Sequence, residues 1–195
     1  MRAALLVVDV QRDFCPGGAL AVREGDEIVP GINRVVAGFD RAWLPIFFTR
    51  DWHPPDHISF RGQGGPWPLH CVQGTVGAAF HPSLRVPTSA VVISKGDDPS
   101  KEAYSGFQGT DLEARLRGLG VKEVFIAGLT TDYCVKETAT DARKAGFTVK
   151  VIRDCIRAVD ATPGDGTRAI SKMKKEGAKL VGSHSVIRLL ASTQQ

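Results

Sequence analysis

Four residues with acid-base or nucleophilic side chains, Asp9, Asp51, Lys95 and Cys134, each close or follow a short apolar run in a chain of 195 residues. Asp9 lies inside Leu6-Val7-Val8-Asp9-Val10, where an ionised carboxylate is costly unless a cation or hydrogen-bond donors hold it. Lys95 is its natural partner. Cys134 follows Gly128-Leu129-Thr130-Thr131-Asp132-Tyr133 and opens a segment with helical spacing. At a helix N-terminus the macrodipole and unpaired N–H groups favour thiolate, so Cys134 reads as a nucleophile, and the preceding turn can aim N–H groups at a developing oxyanion. The same turn has a plainer reading, with Thr131 or Asp132 as an N-cap and Cys134 as a small buried hydrophobe. On these residues alone the two stand level.

A second constellation begins at Asp51. Asp51 and His53 stand two apart at an extended chain end and so share one side, and His70 can return from the following Pro-rich stretch to complete an oxygen-and-imidazole set suited to zinc, iron or manganese. His57 lies in the same stretch. The alternative is that Asp51 and His53 make hydrogen bonds that tie down the loop.

These residues need a scaffold that gathers them. Six short apolar runs rich in β-branched residues, at 3–10, 43–51, 90–96, 123–129, 148–154 and 178–183, alternate with helix-period segments. That order predicts one α/β domain spanning residues 1–195, with an open, mainly parallel six-stranded sheet and helices on both faces. Ile28, Val29, Ile32, Val35, Val36 and Phe39 repeat with helical spacing, and Pro30 falls in a first turn, where its missing N–H does little harm. Thr110 and Glu113 have capping-box spacing before Leu112, Leu116 and Leu119, with Gly120 as terminator. Residues 134–145 predict a helix burying Val135, Ala139 and Ala142, and 168–176 and 186–191 complete the set. In such a sheet ligands bind beyond the carboxyl ends of the strands, which is where Asp9, Asp51, Lys95 and Cys134 fall. Residues 52–89 break the rhythm: they hold six of the eleven prolines and four of the five histidines. Together with two tryptophans, this points to an ordered loop, at about 51–89, that builds a site.

Composition narrows the class. With 43% hydrophobic and 24% charged residues the chain is an ordinary globular domain, large enough to bury a core without disulfides or a structural metal. Any metal is then expected to be functional. The four cysteines show no C-x-x-C pairing and no signal segment is apparent, so the expected location is the reducing cytoplasm. No apolar run approaches the roughly 20 residues that a bilayer requires. The net charge of +4 comes from scattered Lys and Arg, and the densest group, Lys172, Lys174, Lys175 and Lys179, reads as a solvated face near a helix end. Neither a membrane nor a nucleic acid is an expected partner, and self-assembly into a homo-oligomer is left open.

Four motifs occur in one order: Val8-Asp9-Val10-Gln11-Arg12-Asp13-Phe14-Cys15-Pro16-Gly17-Gly18, Thr49-Arg50-Asp51-Trp52-His53, Trp67-Pro68-Leu69-His70-Cys71-Val72 and Gly128-Leu129-Thr130-Thr131-Asp132-Tyr133-Cys134-Val135. With them the chain resembles the nicotinamidases (pyrazinamidases) of the isochorismatase-like cysteine hydrolases, from the first strand to the last. Lys95-Gly96 and Glu102-Ala103-Tyr104-Ser105-Gly106-Phe107 look like that family's third strand end and following loop. The resemblance implies a triad of Asp9, Lys95 and Cys134. It also implies one divalent metal, zinc before iron or manganese, on Asp51, His53 and His70, with His57 as a further ligand or a group behind the ligands. The peptide before Thr130 is expected cis, with the N–H groups of Thr130 and Cys134 as the oxyanion hole; relatives often carry Ala at this position. Phe14 and Trp67 would be apolar walls for the substrate ring, or ordinary loop packing. The implied reaction deamidates nicotinamide, and pyrazinamide, to the acid and ammonia through a thioester, a step of NAD salvage. Isochorismatases and carbamoylsarcosine-type amidases resemble the same fold and triad but generally lack the metal set, which favours the nicotinamidase reading over another small-amide hydrolase. Two further readings stand behind it: a metal-dependent binding protein without turnover, and disulfide exchange among Cys15, Cys71 and Cys134.

Overall fold

The computed structural model describes residues 2–192. Its centre is a wholly parallel sheet of six strands, β1 (Ala3–Val8), β2 (Ile46–Asp51), β3 (Val91–Lys95), β4 (Glu123–Leu129), β5 (Thr148–Arg157) and β6 (Lys179–Val181), in the order β3-β2-β1-β4-β5-β6. Period-2 alternation along β1 sends Ala3, Leu5 and Val7 into one core and Ala4, Leu6 and Val8 into another. The first core is closed by helices α1 (Val29–Arg41) and α5 (Ser183–Ser192), through Ile32, Val36, Phe39, Val186 and Leu190. The second is closed by α2 (Leu112–Gly118), α3 (Lys136–Lys144) and α4 (Asp165–Lys175), through Leu112, Leu116, Ala139, Ala142 and Met173. Burying a single Leu or Phe in such a layer stabilises by roughly 1.5 to 3 kcal/mol. Near-continuous apolar strands follow from being covered on both sides.

Several boundaries differ from those the sequence suggests. β1 stops at Val8 because Asp9 turns into the left-handed region at φ 48°, and Trp43, at φ 54° and 91% exposed, lies outside β2. β5 runs on to Arg157 through a register shift between Ile126 and Gly128. At α2 the reciprocal capping box is not formed. The Thr110 hydroxyl accepts from Leu112 N–H at 3.3 Å, whereas Glu113 pairs with Arg117 one turn on, and Leu119 is 37% exposed.

Helices make four of the five crossovers between successive strands, but β2 passes to β3 through residues 52–90, which hold only a 3₁₀ turn at Arg61–Gln63. This segment is pinned by isolated bridges, His53 to Val72, Phe60 to Trp67 and Gln11 to Phe80, and it buries His53, His57, Phe60 and His70. It covers the carboxyl ends of the strands beside β1 and β4, where the chain order reverses. Among the described residues no helix is long and apolar enough to cross a membrane.

Candidate active site

Asp9, directly after β1, is fully buried; its backbone N–H reaches Thr49 O at 3.2 Å and its Oδ1 accepts from the Thr49 hydroxyl at 2.6 Å. The end of β3 delivers Lys95, whose Nζ lies 2.9 Å from Asp9 Oδ2 and 3.6 Å from Cys134 Sγ, donates to Ala103 O at 3.3 Å and pairs closely with Asp51 Oδ1. Lys95 therefore joins the two constellations that the sequence presents separately. Asp9 Oδ2 faces this charge as a buried ion pair, while Oδ1 is held by Thr49.

Cys134 lies in a π-helical turn, Thr131–Val135, that runs into α3, so the helix begins three residues before the expected 134. Neither Thr131 nor Asp132 is the N-cap; that place falls to Thr130, whose side chain makes no capping bond. Asp132 instead accepts from Val159 N–H at 3.0 Å and Asp160 N–H at 2.9 Å, tying the segment after β5 to the site. The Leu129–Thr130 peptide is cis. Gly128, at φ 120°, is required by the close passage of β1, since a Cβ there would lie 2.0 Å from Val8 O.

The electrostatics correct one expectation. Burial pushes the Cys134 thiol well above its ordinary range, and the opposing Lys95 charge does not offset it. Burial thus opposes the thiolate that a helix start favours. Burial also raises Asp9, against the pull of Lys95. For Lys95 burial alone would lower the pKa, but Asp51 and Asp9 outweigh it and hold the ammonium charged. Burial would likewise raise Asp51, yet Lys95, His53 and His70 keep it below the usual carboxylate range.

Asp51 turns Oδ2 toward two imidazoles, with His53 Nε2 at 3.6 Å and His70 Nε2 at 3.9 Å, and the three donor atoms all lie within 4.8 Å of one another. Each histidine places Nδ1 2.8 Å from a carbonyl, Gly96 O for His53 and Pro68 O for His70. A carbonyl only accepts, so Nδ1 carries the proton and Nε2 presents its lone pair. One carboxylate and two neutral imidazoles fit a divalent metal. Burial lowers His70, in keeping with the neutral form that ligation needs. His53 is raised because its interaction with Asp51 outweighs burial, and a metal competes with that proton for Nε2. Gly96, at φ 67°, admits the His53 ring where a Cβ would lie 2.5 Å from Cε1.

His57 does not reach this set. Its Nδ1 is 2.7 Å from Ser59 Oγ and its Nε2 is 3.0 Å from Lys101 O, so both nitrogens are engaged while the ring packs 4.2 Å from that of His53. It packs behind His53, outside the three residues whose donor atoms converge. Phe14, in the 3₁₀ turn Arg12–Phe14, has its ring 5.6 Å from His70, and Trp67 donates its indole N–H to the Tyr104 hydroxyl at 3.0 Å. Both line a pocket of about 380 Å³, counting its open mouth, that also touches Asp51, His53, His70, Thr130 and Cys134. The residues proposed from the sequence for the triad, the oxyanion hole, the metal set and the apolar walls, His57 excepted, thus meet in or beneath one pocket.

Sequence reasoning missed the residues behind them. Gln11 is buried and brackets Asp51: Oε1 accepts from Asp51 N–H at 2.8 Å and Nε2 donates to Asp51 O at 2.8 Å and Ala78 O at 2.9 Å. Asp13 Oδ2 accepts from Cys71 N–H at 2.7 Å, fixing the residue after His70. Both lie in the first motif, and a polar residue three or five positions beyond a buried strand was the available signal. Tyr104 and Tyr133 also line the pocket, the latter 5.1 Å edge-on to Trp67; their spacing carried no signal.

A doubly covered parallel sheet with a buried Cys, Asp and Lys at its carboxyl edge defines a class of α/β cysteine hydrolase. Residues 3–185 match the isochorismatase domain family, and the chain belongs to it. It is 40% identical to the nicotinamidase of Escherichia coli (strain K12), over 91% of this chain and 93% of that one. The pyrazinamidase of Pyrococcus horikoshii in complex with zinc superposes with a TM-score of 0.90 at 53% identity, covering 93% and 99% of the two chains. The PnC1 protein of L. infantum in complex with nicotinate gives 0.87 at 37% identity, covering 94% and 93%.

Proposed function

We propose that this chain is a metal-containing cysteine amidohydrolase that converts nicotinamide, and its aza-analogue pyrazinamide, to the acid and ammonia, serving NAD salvage in the cytoplasm. The observation that carries the reading is the single pocket in which Cys134, backed by Lys95 and Asp9, faces the donor set of Asp51, His53 and His70. Relatives named for this activity support the choice of substrate. Zinc is the proposed metal, in line with the zinc complex of the Pyrococcus relative.

In the resting site Cys134 is a thiol. As its sulfur attacks the carboxamide carbon, the proton passes to Asp9, whose raised pKa makes it a stronger base than an exposed carboxylate. Lys95 keeps Asp9 anionic before the transfer and offsets charge on sulfur during it. The N–H groups of Thr130 and Cys134 stabilise the tetrahedral oxyanion, a contribution of about 3 kcal/mol per donor in comparable sites. Asp9 returns the proton to departing ammonia, leaving a thioester. It then takes a proton from water, which attacks the thioester and restores the thiol. Phe14 and Trp67 flank the ring. When bound, the divalent ion supplies a Lewis-acidic position for the pyridine nitrogen. Incubation of the metal-loaded protein with nicotinamide should release ammonia and nicotinate in equal amounts; no release over a range of pH and metals would sink the reading.

A further inference from the structure

We propose that Thr49 is a positioning residue for the amidase reaction: its buried hydroxyl holds one oxygen of Asp9 so that the other is the one presented to the Cys134 proton. The inference rests on the amidase reading above and names the group that makes Asp9 a directed base.

The Thr49 Oγ1 proton goes to Asp9 Oδ1 at 2.6 Å, while the Thr49 carbonyl takes the Asp9 backbone N–H at 3.2 Å. One residue thus fixes both the main chain and the carboxylate plane of Asp9. The hydroxyl has a single proton to give, and its direction is set by packing: Thr49 is fully buried, and a Cβ built on Gly106 would lie 2.9 Å from the Thr49 methyl. Gly106 is itself held by the Thr138 hydroxyl, which accepts its N–H at 3.0 Å. On the other side of the carboxylate, the Lys95 ammonium directs its hydrogen bonds to Asp51, Ala103 O and Cys134 Sγ. Asp9 Oδ2, paired with that ammonium at 2.9 Å, takes no hydrogen from Thr49 and keeps a lone pair for the Cys134 proton. That oxygen is free to form an O–H bond as the Cys134 S–H bond breaks, the sulfur electron pair going to the carbonyl carbon. Without the Thr49 hydroxyl the carboxylate can rotate, and Lys95 can draw either oxygen to itself.

The test compares Thr49→Val, which keeps the shape and removes the hydroxyl, with Thr49→Ser, which keeps the hydroxyl. Thr49→Val should lower kcat about 100-fold, the scale of a misplaced catalytic group, with KM for nicotinamide within about twofold of wild type. Metal content per chain should be unchanged. Thr49→Ser should recover most of kcat. Iodoacetamide should alkylate Cys134 more slowly in Thr49→Val than in Thr49→Ser, a readout independent of the amide chosen. If Thr49→Val fails to fold, Thr49→Ala against Thr49→Ser makes the same comparison without the methyl group. Equal losses in the hydroxyl-bearing and hydroxyl-free variants, or a raised KM at unchanged kcat, overturn the inference. A wild-type protein that does not hydrolyse nicotinamide overturns the amidase reading instead, and the Cys134 alkylation rates still decide the role of Thr49.

Discussion

In the proposed mechanism Cys134 stays buried and protonated until substrate arrives. A thiol in this environment resists ionisation, so reactivity has to come from a base in place and not from a standing thiolate. Cys134→Ala should therefore abolish turnover, about 10⁴-fold or more in kcat, while changing Tm by no more than about 4 °C, because a thiol is a small loss from a core. Parallel loss of activity and cooperative unfolding in that variant would assign Cys134 to packing. The residues that meet at the pocket were legible in the sequence because a charge beside an apolar strand has few innocent explanations. Their ionisation was not, since burial overrode the helix start and only the fold sets how deep Cys134 lies. Gln11 stayed hidden for a related reason. It replaces strand hydrogen bonds at Asp51, where β1 has already turned away at Asp9, and that need exists only once the register is known.

At the scale of elements, strands and buried helix faces were readable from periodicity, whereas ends depended on side chains arriving from elsewhere. The start of α5 is an instance: Asp154, from β5, accepts from Ser183 N–H at 2.8 Å and from the Ser183 hydroxyl at 2.5 Å. Burial would raise the Asp154 pKa, but these bonds outweigh it and hold it below the ordinary value. A carboxylate with a lowered folded pKa adds stability that is complete above its unfolded value, near 3.9, and is lost as pH falls through the folded value. Asp154→Asn should cost about 1 kcal/mol at pH 7, read as a drop in Tm, and the gap to wild type should close below about pH 4. A gap independent of pH would show that shape and not charge makes the contact. The loop between β2 and β3 gives a second case. His70 reaches the donor set only because Asp13 holds Cys71 and Pro68 O orients the ring, so His70→Ala should bind substoichiometric metal by elemental analysis, and full occupancy would remove it from the ligand set.

On the proposed reading one pocket carries a triad that fits any small amide and a donor set that selects among them, joined by Lys95 between Asp9 and Asp51. Motif order revealed both halves from sequence, but the bridge between them follows from β1, β2 and β3 lying side by side in the sheet. The division of labour makes a sharp prediction about substrates. Nicotinamide and benzamide share a carboxamide and a ring of the same outline, and they differ in a ring nitrogen able to occupy an open metal position. If only Phe14 and Trp67 chose the ring, the two amides would differ by no more than the roughly 10 to 200-fold that shape differences in an apolar pocket give. A site built to engage a polar atom rejects the analogue lacking it by about 10⁴-fold in favourable cases. At equal metal loading kcat/KM should favour nicotinamide over benzamide by more than the apolar range, with pyrazinamide close to nicotinamide. In apoprotein restored with progressively less metal, nicotinamide turnover should fall with occupancy. Comparable kcat/KM for nicotinamide and benzamide would return the chain to the broader group of small-amide hydrolases, with the triad intact and the donor set serving another end.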